Sequence, residues 1–226
     1  MAGGQGTRLG AAQPKALVAL AGEPLLTHAL RRATACPDVR HVVVVAPSGH
    51  LDEVRDIAQA HPRADDIDVV PGGATRTDSV AAGLRALHAD DGVVLVHDAA
   101  RCLAPAALYT RLVRAVRSGH PAVVPGVPVP DTIKAVDDAG RVLATPPRES
   151  LRAIQTPQAF LREVLEDAHR AAAGDRVRAT DDAGLVERSG GHVLVVEGDP
   201  LALKITTSAD LALAERLLEE QPYAAS

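Results

Sequence analysis

Aromatic side chains are almost missing from this sequence, which has no Trp, one Phe and two Tyr in 226 residues. A core with so few rings must be assembled from Val, Leu, Ile and Ala. That suits helices packed on a parallel sheet buried on both faces. Cysteine is scarce too. Cys36 and Cys102 stand far apart in no metal or redox spacing, which argues against a disulfide framework and fits two free thiols in a reducing, cytoplasmic setting. No apolar run approaches the roughly 20 residues that span a bilayer, and the first residues are glycine and polar rather than an apolar signal stretch. No membrane is therefore expected as partner. Excess positive charge is also lacking. The formal charge is −5, which argues against a nucleic-acid backbone as partner. Lysine is the last shortage, with only Lys15, Lys134 and Lys204 among 24 basic residues. Base composition of the coding DNA explains such a bias. A lysine retained within it also fits a position that wants a compact, mobile ammonium rather than a planar guanidinium.

Hydrophobic residues make up 46% of the chain, enough for a substantial core, and they are arranged in alternating runs. Residues 41–46, 67–72, 92–98, 122–129 and 192–198 read as strands, mostly buried on both faces. Helical patterns lie between them at 24–35, 51–61, 77–87, 105–118, 158–173 and 209–220, with Thr180 and Ser208 as N-cap residues. This alternation predicts a single α/β domain over residues 1–226, Rossmann-like, doubly wound on a mostly parallel sheet. In such sheets ligands sit beyond the carboxyl ends of the strands.

Residues 130–156 break the rhythm. TIKAV and RVLAT flank DDAG, a hairpin signal. A two-stranded hairpin of modest apolar content is marginal alone. It is expected to protrude as an arm onto a second subunit, the alternative being an arm folded onto its own domain.

The chain opens MAGGQGTRLGAAQPK. This is neither a Walker A loop nor a GxGxxG fingerprint, because Gly10 falls one residue late after Gly4 and Gly6. Glycines let backbone N–H groups approach phosphate oxygens closely, and Arg8 and Lys15 add a fork and a point charge. Together they form a candidate triphosphate cradle, against the competing reading of a flexible glycine-rich terminus.

Further along come GGxxRxxSVxxGL at 72–84, VLVHDAAR at 94–101, DTIK at 131–134, QTPQAF at 155–160, TDDA at 180–183 and KITT at 204–207. In this order, behind the opening loop, they resemble the 2-C-methyl-D-erythritol 4-phosphate cytidylyltransferases of the non-mevalonate isoprenoid route. The resemblance runs from Ala2 to about Leu218. It implies transfer of CMP from CTP to the phosphorylated tetrol, release of pyrophosphate, and Mg²⁺ as cofactor. It implies that Arg8, Lys15 and Lys204 are catalytic. Ala2, Gly3, Gly4, Gly6, Gly73 and Ser79 would hold the nucleotide, while Asp98, Arg101, Thr132, Arg148, Thr156 and Lys204 would meet the substrate. Asp98 is the one residue singled out as a possible metal ligand. Thr132 and Arg148 sit on the arm, which implies a homodimer whose arms are exchanged and whose sites are completed in trans.

Other polar residues have plainer readings. His97 fits a structural hydrogen bond, TDDA fits a helix cap with acidic residues in its first turn, and Lys134 fits a solvated arm lysine. The sequence also departs from the family pattern. Cys102 stands for a common proline and is expected to be tolerated, and Ala202 stands for a common asparagine near Lys204. The family usually carries a strand of the form VxAVxPA before the glycines, whose end Met1 occupies here. The expected consequences are an opened sheet centre, a less anchored loop and a natural start upstream. Two alternatives remain: a cytidylyltransferase for another polyol phosphate such as ribitol 5-phosphate, and an inactive dimeric nucleotide-binding module.

Overall fold

The computed structural model describes residues 1–2, 13–88, 92–172 and 179–220. In chain order the strands are β1 (Ala19–Leu20), β2 (Glu23–Pro24), β3 (Val42–Ala46), β4 (Ile67–Pro71), β5 (Val93–Val96), β6 (Ala122–Pro128), β7 (Ala135–Val136), β8 (Val142–Ala144), β9 (Arg152–Ile154), β10 (Gln158–Leu161) and β11 (Leu194–Glu197). The helices are α1 (Leu25–Thr34), α2 (Leu51–Gln59), α3 (Arg76–Ala86), α4 (Ala106–Arg117), α5 (Arg162–Ala171), α6 (Asp182–Arg188) and α7 (Ser208–Glu220). The architecture is α/β, as the alternation predicts. β3 pairs in parallel with β4, and β11 with β6.

Every predicted strand forms within a few residues of its expected bounds; β11 corrects the expectation of burial on both faces, since it lies at the sheet edge with Leu194 and Val195 exposed. The predicted helix over 158–173 is a correction. Gln158–Leu161 is strand β10, and the helix begins only at Arg162. β10 runs antiparallel between β5 and β6, giving the order β11-β6-β10-β5, with β9 also antiparallel on β6. Phe160 and Ala159 face opposite layers of the core there, the first toward α5 and α6 and the second toward α4, which is the alternation of a strand. Helices thus cover both faces of this sheet.

Two caps also differ from expectation. Asp181, rather than Thr180, caps α6 by accepting from the Gly184 N–H at 2.9 Å. At α7 the Thr207 hydroxyl, rather than Ser208, accepts from the Asp210 N–H at 3.2 Å, and the Asp210 carboxylate accepts from the Thr207 N–H at 2.8 Å. This is a capping box set one residue earlier. α3 is closed by the same device through Thr75 and Asp78.

The 130–156 segment forms the expected hairpin. β7 and β8 pair antiparallel around Asp137–Gly140, where Gly140 takes a positive φ of 79° and so suits the turn. Its apolar side chains lie open, Ile133 at 41% and Leu143 at 69% exposure, with Val136 and Val142 beside them. Lys134 donates to Thr145 across the hairpin at 2.8 Å and is otherwise a surface lysine, as read.

Among the described residues, β3 pairs with no strand but β4, and β5 with no strand but β10. The two sheet pieces are bridged by Met1 and Ala2. Ala2 N–H donates to Val45 O at 3.0 Å, the Met1 ammonium donates to His97 O at 2.7 Å, and Ala99 N–H donates to Met1 O at 3.1 Å. Among the described residues, no strand lies between β3 and β5. No helix among the described residues is long and apolar enough to cross a membrane.

Candidate active site

The carboxyl ends of β3, β4 and β5 gather the expected residues. Gly3, Gly4, Gly6 and Arg8 of the opening loop lie outside the described residues. Ala2 is buried between β3 and β5. After β4 the chain turns through Gly72 and Gly73. Gly72 N–H donates to Ala46 O at 2.7 Å, and Gly73 N–H donates to Ser79 Oγ at 3.1 Å. The Ser79 hydroxyl donates in turn to Thr75 O at 2.8 Å, so the serine is the pin of this loop. A Cβ on Gly73 would press into the Asp78 side chain that closes the α3 capping box. The loop can be this tight only with glycine.

Beyond β5, Asp98 leads into the short turn Ala99–Arg101. Lys204, 106 residues away, donates to Asp98 Oδ2 at 2.7 Å. Two further contacts bring it there. Ile205 N–H donates to Ala100 O at 2.8 Å, and Arg101 Nη1 donates to Ala202 O at 2.7 Å. Arg101 Nη2 also reaches Ile154 O at 3.2 Å, so this arginine ties the segment before the lysine to the end of β9. The contact with Ala202 uses only the main chain, which explains how alanine serves at that position. Burial works to raise the Asp98 carboxyl, but the adjacent Lys204 charge and hydrogen bond, with help from Arg76 and the chain's ammonium, outweigh it and hold the group at about 2. Asp98 is therefore a permanent anion.

Thr156 is buried beside this pair. Its Oγ1 accepts from the Asp98 N–H at 3.0 Å and lies 3.1 Å from His97 Nδ1. The Thr156 hydroxyl can both accept from the Asp98 N–H and pair with the imidazole. Burial pushes the His97 pKa down to about 3. His97 is thus a structural histidine, as read. Lys15 is also buried, in a single turn, Lys15–Leu17, packed against the Ala99–Arg101 turn. Thr132 and Arg148 lie exposed where the hairpin joins the domain, with Arg148 donating to Pro130 O at 3.2 Å. The fold of one chain brings Ala2, Lys15, Gly73, Ser79, Asp98, Arg101, Thr156 and Lys204 to one end of the sheet. Cys102 sits just behind it, fully buried, its thiol pushed up to about 12 by burial.

Sequence reading missed three organisers. Gln155 clamps the main chain of Asp199, accepting from its N–H at 2.9 Å and donating to its carbonyl at 2.8 Å. Gln158 donates to Asp181 at 2.7 Å and accepts from Ala183 N–H at 3.3 Å. Asp182 is more than a first-turn acidic residue. Wholly buried, it accepts from His169 Nε2 at 2.9 Å and from Arg76 Nη1 at 2.6 Å, tying α3, α5 and α6 together behind the Gly73 loop. The arginine in GGxxR and the second aspartate of TDDA were the only signals, and neither reveals the pairing.

Among the described residues, Asp98 is the carboxylate that stands beside Lys204 where a divalent ion could approach. Among the described residues, the one group of three possible ligands is His41, Asp68 and His88, at the opposite end of β3. The site therefore fits a Mg²⁺ carried mainly by phosphates and water rather than a cage of protein ligands.

A family model described as IspD: 2-C-methyl-D-erythritol 4-phosphate cytidylyltransferase matches residues 1–220. The chain is 54% identical over 220 residues to the 2-C-methyl-D-erythritol 4-phosphate cytidylyltransferase of Saccharopolyspora erythraea, covering 96% of both. It is 50% identical to the enzyme of that name from Nocardia farcinica, covering 97% of this chain and 92% of the relative. Among solved structures, the 4-diphosphocytidyl-2C-methyl-D-erythritol synthase of Anaerococcus prevotii superposes with a TM-score of 0.84 at 29% identity, covering 96% of this chain and 95% of that one. The Thermus thermophilus cytidylyltransferase does so at 0.75 with 36% identity, covering 91% and 94%. The cluster around Asp98 and Lys204 is therefore set in a chain that belongs to the 2-C-methyl-D-erythritol 4-phosphate cytidylyltransferase family.

Proposed function

We propose that this enzyme transfers CMP from CTP to 2-C-methyl-D-erythritol 4-phosphate, releasing pyrophosphate. The observation that carries the site reading is the Asp98–Lys204 pair, held at 2.7 Å beside the Gly73 loop and the Lys15 turn. A phosphate oxygen of the substrate attacks the α-phosphorus of CTP. A new P–O–P bridge forms, the bond from the α-phosphorus to the bridging oxygen breaks, and its electron pair leaves with pyrophosphate. A phosphate monoester is already largely dianionic near pH 7, so the reaction needs no strong base, and none stands here: His97 is sealed and neutral. The protein's task is positioning and charge neutralisation.

In this reading Arg8 and Lys15 grip the triphosphate and stabilise the charge that grows at the α-phosphate. Ala2, Gly3, Gly4, Gly6, Gly73 and Ser79 border the nucleotide, where backbone groups reach the base and ribose. Lys204 meets the substrate phosphate. Asp98 aims that ammonium and faces the tetrol hydroxyls, Thr156 keeps Asp98 in place, and Arg101 holds the lysine's segment. A bound Mg²⁺ would supply charge neutralisation to the triphosphate, and Asp98 is the carboxylate that would hold it or its waters.

The exposed apolar hairpin supports the remainder of the proposal: a cytoplasmic homodimer of doubly wound domains, in which each arm carries Thr132 and Arg148 to the partner's site. An isolated hairpin with Ile133, Val136, Val142 and Leu143 open to water calls for such a cover. The test is a turnover assay with CTP and Mg²⁺, offering methylerythritol phosphate and ribitol 5-phosphate in parallel. Formation of the CDP-alcohol from the first alone is expected. Preference for the second would overturn the substrate assignment, and no turnover of either would overturn the enzyme reading.

A further inference from the structure

At the end of the sheet away from Asp98 and Lys204, three segments bring metal-ligating side chains together. A ring nitrogen of His41, a carboxylate oxygen of Asp68 and a ring nitrogen of His88 lie within 4.8 Å of one another. The strand pleat accounts for the first two. β3 and β4 run parallel with Val43 opposite Asp68, and alternate residues of a strand share a face. His41, Val43 and Val45 therefore stand on the same face as Asp68. That face lies under α3, where Val45 packs so close to Gly83 that a Cβ there would meet it at 2.9 Å. α3 returns across the face and ends at Ala86. Two residues later it delivers His88 onto His41, and the two imidazole rings stack with centroids 3.9 Å apart and planes 8° from parallel. The main chain of His88 is anchored, because Arg162 of α5 donates to its carbonyl at 2.5 Å, while its side chain is exposed.

The donor set and its spacing suit a first-row transition ion. Two imidazoles and one carboxylate favour Zn²⁺, whereas Mg²⁺ and Ca²⁺ prefer sets made of oxygen alone. Bonds of about 2.0–2.2 Å in a tetrahedron put neighbouring donor atoms about 3.3 Å apart. His41 Nε2 and Asp68 Oδ2 already stand 3.0 Å apart, so an ion that replaces the proton between them scarcely moves either. Stacked rings do not aim both lone pairs at one point. The His88 ring must turn about its side-chain bonds and close by about 1.5 Å at most, and its exposure leaves room for that turn. His41 is 7% exposed and Asp68 58%, so the cluster is walled by the sheet on one side and open to water on the other.

We propose that His41, Asp68 and His88 form a Zn²⁺ site at the opposite end of β3 from the catalytic cluster, with water as the fourth ligand. On binding, the proton shared by His41 Nε2 and Asp68 passes to solvent. The ion then ties the starts of β3 and β4 to the segment that leads from α3 toward β5, and it stabilises the fold by mass action.

The test titrates ZnCl₂ by calorimetry into the full chain, carrying no histidine tag and stripped by a chelator, in excess MgCl₂. One-to-one binding is expected, because magnesium does not compete for imidazole. His88→Ala and Asp68→Asn alter exposed side chains and should each weaken binding roughly tenfold or more. Asp98→Asn, at the catalytic end, should bind zinc as the native chain does. Zinc should raise the melting temperature of the native chain by several degrees, and that of the two ligand variants little above their own metal-free values. Anomalous diffraction at the zinc edge should place the ion against His41, Asp68 and His88. Native affinity in both ligand variants, loss of binding in Asp98→Asn alone, or no binding by the native chain would overturn the proposal. None of these readouts depends on catalysis.

Discussion

Asp98→Asn removes one charge from the centre of the site and nothing else of size. In the native chain the Asp98 carboxyl is held at about 2 against a model-peptide value of 3.8. A difference of that size corresponds to about 2 kcal/mol favouring the ionised group, after burial has worked against it. The pair is only partly screened, Asp98 being 16% exposed and Lys204 44%. The sign follows from the depressed pKa. The stabilisation is fully present above the unfolded pKa near 4 and is lost as pH falls through about 2. Urea unfolding at pH 7 should therefore show Asp98→Asn weaker than the native chain by about 2 kcal/mol, with the difference narrowing below pH 4. A double-mutant cycle with Lys204→Met should recover a coupling of about 1–2 kcal/mol, since Lys204 supplies most of the attraction. A coupling within a few tenths of zero would refute the claim that this contact fixes the lysine's charge, and with it the electrostatic core of the proposed mechanism.

Four further outcomes are expected. Lys15→Ala should lower turnover by about 10²–10³, the scale for one preorganised charge stabiliser, and steady-state kinetics showing near-normal kcat would remove Lys15 from the mechanism. Gly73→Ala should drive Asp78 out of the α3 cap and raise the CTP KM far more than it lowers the melting temperature; an unchanged KM would separate this loop from the nucleotide. His97 falls from an ordinary 6.5 to about 3 in the fold, so the unfolded chain binds more protons in between. Stability should fall as pH drops below about 6.5, by up to about 1.4 kcal/mol per pH unit, and His97→Asn should flatten that slope in urea titrations. Mixed dimers of Arg148→Ala and Lys15→Ala subunits should regain activity that neither homodimer has, and verified heterodimers without rescue would refute exchange of the arms.

Local patterning made most of the elements legible. Four-valine runs such as that in β3 bury on both faces and can hardly be anything but strands, and the one-sided apolar face of α4 is equally plain. It failed at Gln158–Leu161, where a strand of four residues runs directly into a helix. Four residues are too few to show a period, and only insertion between β5 and β6 makes them extended. The caps slipped by a residue for a related reason. Neighbouring Thr, Ser and Asp offer equivalent acceptors, and the backbone angle at the junction selects one. Asp182 looked like a helix-dipole residue because its sequence neighbours explain it. Its partners, Arg76 and His169, lie 106 and 13 residues away.

The sequence by itself determined the α/β alternation, the exposed hairpin around DDAG and the order of motifs that marks the family, because periodicity and turn chemistry are local properties of a chain. The tertiary structure decided which of those residues meet. It carried Lys204 to Asp98 through Arg101 and Ala100, turned Ser79 and Gln155 into clamps on main chain, and sealed Asp182 behind the glycine loop. Those are distances between residues far apart in the chain, and they exist only once burial of the core has fixed where each segment lies.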